Sequence, residues 1–147
     1  MISDFLLTLA PLSLDSVYQL AHDPRNGAIV IMSGSVRNQT KGDPVDYLEY
    51  QAYEPMAKRV FQTIAQEIQS RWPEVNTVVI HHRLGKLKVT EISVLVAVGM
   101  PHRAEAFAAC RYAIDTLKHT APIWKKEYWQ NGSSAWASIG SCEVTGH

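Results

Sequence analysis

Three short β-rich runs most constrain what this chain can become: Ala28–Ile29–Val30–Ile31–Met32, Thr77–Val78–Val79–Ile80 and Ile92–Ser93–Val94–Leu95–Val96–Ala97–Val98. An apolar run of about four to eight residues, closed by turn chemistry, reads as a strand shielded on both faces. Ala28–Met32 reads as a central strand of this kind, between the turn Pro24–Arg25–Asn26–Gly27 and Gly34. No apolar stretch approaches the ~20 residues needed to cross a bilayer, so the cover is expected to come from the chain's own helices.

Those helices are legible. Ser13 precedes Leu14, Val17, Tyr18 and Ala21, an i, i+3, i+4, i+7 stripe, which predicts a capped helix ending near His22. Glu54–Pro55 opens a second helix, with Met56, Val60, Ile64 and Ile68 as its stripe, widened by Phe61 and Ala65, and Trp72–Pro73 as its end. Arg103 to about His119 is the third, with Phe107, Cys110, Ile114 and Leu117 on its apolar face. Further strands are expected at Phe5–Leu9, Tyr47–Tyr53 and Ile123–Trp129, the last joined through Asn131–Gly132 to Ala135–Ile139. Asn38–Pro44 reads as a loop, and Leu84–Gly85–Lys86 as a turn or bulge. Strands and helices mix without a strict βαβ rhythm. The expectation is one α+β domain over 1–147, a mixed or antiparallel sheet with packed helices, its tail from about 140 poorly ordered.

Composition excludes some classes of function. With 14 Lys+Arg against 14 Asp+Glu, the chain is no bulk polycation, which argues against general nucleic-acid or membrane-surface binding. Trp124, Tyr128 and Trp129 beside Lys125–Lys126 resemble a stacking platform for single strands, but strand alternation splits them between two faces. The first fourteen residues lack a basic leader region, and a cytoplasmic protein is expected. Cys110 and Cys142 show neither CxxC nor metal spacing and read as reduced thiols, with one disulfide as the alternative, and Cys110 reads as an inert core residue. No metal site is expected: His81 and His82 are strand neighbours and point to opposite faces. Phosphate loops, dinucleotide fingerprints and nucleophile elbows are missing from the sequence.

What remains is a set of cations at element ends. Arg37 follows the first buried strand, His102–Arg103 opens the third helix, Lys118 lies in its last turn, and Lys125–Lys126 start the next strand. Between His102 and Lys126 five Lys/Arg face only Glu105 and Asp115. Strand ends are where α/β architectures place ligands, and a cation cluster there suits an anionic one. Arg103 and Lys118 lie fifteen residues apart, roughly 22 Å along a helix, so one small ligand cannot touch both. Either there are two sites, or one site combines two copies of the chain.

The blocks Gly27-Ala-Ile-Val-Ile-Met-Ser-Gly-Ser-Val-Arg-Asn38, His82-Arg-Leu-Gly85, Pro101-His-Arg103, Leu117–Lys118 and Ala121-Pro-Ile-Trp-Lys-Lys-Glu127 resemble the MoaE family, the large, catalytic subunits of molybdopterin synthases. The resemblance runs from about Phe5 to Trp136. It implies an α+β fold of the α/β-hammerhead type and a definite reaction. Two sulfurs enter cyclic pyranopterin monophosphate to make a dithiolene. They come from the C-terminal Gly-Gly thiocarboxylate of a small ubiquitin-like partner, MoaD. It also implies a homodimer at the centre of a heterotetramer, and no cofactor besides the substrate. By resemblance, Lys118 and Lys125 are the catalytic lysines. Ser35, Val36, Arg37, His102, Arg103, Lys126 and Glu127 join them in binding substrate, with the His-Arg pair supplied by the other protomer. The stretch 139–147 departs from the family, lacking the basic residues often found there, so one phosphate-side contact is either missing or supplied from elsewhere. The alternative is an inactive relative that binds pterin and partner without turnover, against which the retention of both lysines speaks.

Overall fold

The computed structural model describes residues 1–140. Cys142 and the expectations for the tail lie outside the described residues. In chain order the elements are β1 (Ile2–Thr8), α1 (Leu14–Ala21), β2 (Ala28–Ser35), β3 (Gln39–Thr40), β4 (Asp43–Ala52), α2 (Glu54–Arg71), β5 (Thr77–Arg83), β6 (Gly85–Lys88), β7 (Ile92–Met100), α3 (Arg103–Thr120), β8 (Ile123–Trp129) and β9 (Ser134–Ser138). The α+β expectation holds, with two sheets rather than one. The first has the order β1-β5-β7-β2; the second runs β3-β4-β8-β9, with β6 also on β4. Among the described residues only β1 and β5 pair in parallel.

The apolar runs are explained by what covers the first sheet. Val79, Leu95 and Ala97 face Val17 and Ala21 of α1. Their neighbours Val78, Ile80, Val94, Val96 and Val98 face α2 and α3 on the other side. A strand buried on both faces gains nothing from polar alternation, hence the continuous runs. The Ser13 side chain accepts from the Ser16 N–H and caps α1 as its sequence requires.

Four expectations need correction. Ala28–Met32 forms an edge strand, half-buried, while β5 and β7 hold the centre. An apolar run specifies a strand but not its place in the order. Met56 and Phe107 are exposed, Phe107 by 63%. The faces that α2 and α3 bury are rich in alanine: Ala57 and Ala65 on α2, and Ala106, Ala109 and Ala113 on α3. Small residues let a helix lie close to the sheet, and a stripe traced through large side chains overlooks them. The loop at Asn38–Pro44 contains a tight hairpin: Gln39 pairs with Pro44 and Thr40 with Asp43. Gly85–Lys88 is a strand on β4, entered through a positive φ at Gly85. Cys110 is core, as expected: its Sγ lies 3.6 Å from the Val96 carbonyl oxygen, and burial pushes the thiol up to about 11.

Candidate active site

The ends of β2 and β7, the strands β4 and β8, and the last turn of α3 enclose a cavity of ≈ 840 Å³. Ser35, Val36, Arg37, Lys118, Lys125 and Glu127 line it. Each arrives for a local reason. The register of β2 shifts between Gly34 and Ser35, which turns the strand end and sends Arg37 toward the rim. Val36 is held on both sides, its N–H donating to the Glu91 carbonyl at 3.0 Å and its carbonyl accepting from the Thr90 N–H at 2.8 Å. Lys118 occupies the final turn of α3, where the helix dipole favours a cation. Chain packing fixes that turn: a Cβ on Gly140 would sit 2.5 Å from the Lys118 carbonyl oxygen, so only glycine passes there.

On β8, alternation sends Lys125 and Glu127 inward and Lys126 outward. Tyr50 of β4 pairs with Lys125, and Leu48 with Glu127. The Lys125 ammonium lies 3.4 Å from Oε1 of Glu127, and both side chains are largely buried. Oε2 of Glu127 accepts no hydrogen bond among the described residues. Among the described residues it is the only acidic group lining a cavity that four cations share: Arg37, Lys41, Lys118 and Lys125. Such a surface binds anions and stabilises negative charge that develops on oxygen.

Three expected site residues stand elsewhere in this chain. Lys126 is on the outer face of the second sheet, its ammonium 5.0 Å from the ring centroid of Tyr128 and 5.8 Å from that of Trp136. Tyr128 stacks there on Tyr47 at 4.3 Å. The aromatic and basic residues of β8 are therefore split between two faces, as alternation requires. His102 and Arg103 are exposed at the far end of α3, beyond the reach of a ligand touching Lys118. Among the described residues no three His, Cys, Asp or Glu are grouped to hold a metal ion, and no helix is long and apolar enough to cross a membrane.

Sequence reasoning missed Tyr50, His82 and the hairpin residues Gln39, Thr40 and Lys41. His81 and His82 do point to opposite faces. Nε2 of His81 meets Asp4 at 2.6 Å, while His82 turns inward, edge-on to Tyr50 at 5.0 Å. Nδ1 of His82 lies 2.8 Å from the Arg83 carbonyl oxygen, which can only accept, so Nδ1 carries the proton. Burial, opposed by that bond and reinforced by the nearby Lys118 charge, pushes His82 down to about 4. An ordinary histidine titrates at about 6.5, so between these values the unfolded chain takes up a proton that the folded chain refuses. Stability is therefore expected to be complete above about pH 6.5 and to fall by up to about 3 kcal/mol on acidification to pH 4. Urea midpoints at pH 7 and pH 4.5 check this. A His82→Phe variant should lose less stability between them than the parent.

Comparison with known proteins supplies context for this geometry. A family model described as MoaE protein matches residues 7–120. A molybdopterin synthase catalytic subunit from a Nostoc species is 70% identical over 142 residues, covering 97% of this chain and 86% of that protein. The crystal structure of molybdopterin synthase from Staphylococcus aureus superposes with a TM-score of 0.84 at 40% identity, covering 89% of this chain and 94% of the other. A complex of subunits 1 and 2 of molybdopterin-converting factor from Helicobacter pylori shares the fold, with a TM-score of 0.73 at 22% identity, covering 93% of this chain and 90% of the matched chain.

Proposed function

This chain belongs to the MoaE protein family, and we propose that it works as the catalytic subunit of a molybdopterin synthase, moving sulfur from a partner's C-terminal thiocarboxylate onto cyclic pyranopterin monophosphate. The observation that carries the reading is the cavity: Arg37, Lys118 and Lys125 around the one carboxylate that lines it among the described residues, the buried Glu127. Its volume suits one phosphorylated pterin together with a glycine tail. A Gly-Gly end has no side chains to exclude.

The chemistry follows from the charges. The thiocarboxylate sulfur forms a bond to a pterin carbon and displaces the oxygen that carbon carried, which leaves protonated or on the phosphate, and the partner is then linked through that sulfur as a thioester. Water adds to the carbonyl carbon, giving a tetrahedral oxyanion. Collapse breaks the carbon–sulfur bond on the partner's side, leaves sulfur on the pterin and returns the partner as a carboxylate. A second round supplies the second sulfur. Lys118 stabilises the oxyanion and moves a proton to or from it. Lys125, oriented by Glu127, holds the tail's carbonyl end. Arg37 binds the anionic end of the substrate through charge-assisted hydrogen bonds.

His102 and Arg103 enter this scheme from a second copy of the chain. They are exposed on the same helix as Phe107, an exposed aromatic that burial against a second copy would cover. Two copies related by a twofold axis bring the His-Arg pair of one to the lysines of the other, which resolves the 22 Å separation. The partner is a small MoaD-type protein, one for each copy, giving a heterotetramer.

Reconstitution tests the function. The purified chain is mixed with a thiocarboxylated MoaD-type partner and cyclic pyranopterin monophosphate, and a dithiolene product is sought. Formation of product at a rate dependent on this chain is expected. A chain that binds pterin and partner yet yields no product would establish the inactive alternative.

A further inference from the structure

The hairpin between β3 and β4 turns on two residues, Lys41 and Gly42, both with positive φ, 51° and 87°. That is the backbone of a type I′ turn, whose twist matches the flanking strands. Glycine takes its position freely, with open space around it. Lysine does not: the left-handed conformation crowds its Cβ against the backbone, and asparagine is the usual occupant of the first position. A lysine kept where asparagine fits better needs a reason beyond the turn.

The cavity supplies one. Lys41 lines it, two residues past Gln39 and four past Arg37. No ion pair to Lys41 is formed among the described residues, and the cavity's single carboxylate is engaged with Lys125. Lys41 and Arg37 therefore present two cations on one rim, at either end of the short strand β3. The stretch 139–147 carries no Lys or Arg that might add to them.

We infer that Lys41, at the tip of the β3–β4 hairpin, is a further substrate-binding residue that grips the phosphate of the pterin together with Arg37. This deepens the proposed function and rests on it. Arg37 supplies the planar fork and Lys41 the point charge, an arrangement suited to the anionic phosphate of the pterin at the mouth of a cavity. The phosphate, held at the mouth, then anchors the reacting carbons below it. Lys41 acts on binding and not on the bonds made and broken.

The full-length chain is titrated with cyclic pyranopterin monophosphate by calorimetry, as the parent and as Lys41→Asn and Lys41→Arg. Lys41→Asn removes the charge and gives the turn its preferred residue. It is expected to melt no lower than the parent, to bind the phosphorylated pterin about 10-fold more weakly, and to raise KM with little change in kcat in the reconstituted reaction. Lys41→Arg should retain most of the affinity. Unchanged affinity in Lys41→Asn overturns the inference. So does an equal loss in both variants, because the effect would then be one of turn geometry. Failure of the parent chain to bind the pterin overturns the proposed function itself, and this inference with it.

Discussion

Lys118→Ala is expected to lower conversion of the cyclic precursor by about 10²–10⁴-fold, the range for removing a general acid–base or an oxyanion partner. The loss should fall on kcat more than on KM, because Arg37 and the rim still hold the phosphate. Folding should survive, since Lys118 is half-buried in a terminal helical turn whose packing rests on Leu117 and Gly140. Lys118→Arg separates the two roles. Arginine keeps the charge but does not give up a proton near neutrality, so partial recovery identifies electrostatic stabilisation and no recovery identifies proton transfer. Steady-state kinetics with thiocarboxylated partner in excess is the measurement, and unchanged conversion by Lys118→Ala would remove this lysine from the mechanism. The same variant reads the assembly. Mixed with Arg103→Ala chains, it forms hybrid dimers in which one of the two sites has both residues intact. Activity should then return to about a quarter of the wild-type level, above that of either variant measured alone.

How far the sequence alone leads is best judged from particular residues. The three helices, the two buried strands and the β8–β9 hairpin follow from periodicity and turn chemistry, which are local. The inward direction of Lys125 and outward direction of Lys126 follow from alternation along a single strand. What periodicity does not contain is pairing. Nothing near Tyr50 says that it lies opposite Lys125, and nothing near His82 says that it feels the charge of Lys118; both facts belong to the tertiary packing. Edge and centre are invisible for the same reason, so β2 reads like β7 although only β7 is enclosed. The hairpin at Lys41–Gly42 was hidden by its polarity, because a short strand that packs against the cavity rim has no apolar side to reveal it. The separation of Arg103 from Lys118 needs only the helical rise, and the cavity of a single chain contains just one of them.

Lys125→Ala is expected to cost both activity and stability, and the two losses should come apart. Removing the ammonium leaves the Glu127 carboxylate buried without its 3.4 Å partner, with Oε2 already lacking one. Breaking a buried pair by removing one member costs about 3–5 kcal/mol, because the charge that remains is uncompensated. Removing both charges costs much less, because the desolvation that the pair demanded disappears with it. The double variant Lys125→Ala/Glu127→Gln should therefore regain most of the stability lost by the single one, measured as the urea midpoint at pH 7. Its activity should not return, since the cation that holds the tail's carbonyl end is still missing. A cycle completed with Glu127→Gln measures the coupling directly. If the double variant is no more stable than Lys125→Ala, the two groups do not act as a pair, and Glu127 has no part in orienting the lysine. If it regains activity together with stability, Lys125 serves the fold alone. Recovery of stability without activity points to one account: a buried ion pair that contributes little to folding is kept because the reaction needs an ammonium at that place, aimed by a carboxylate.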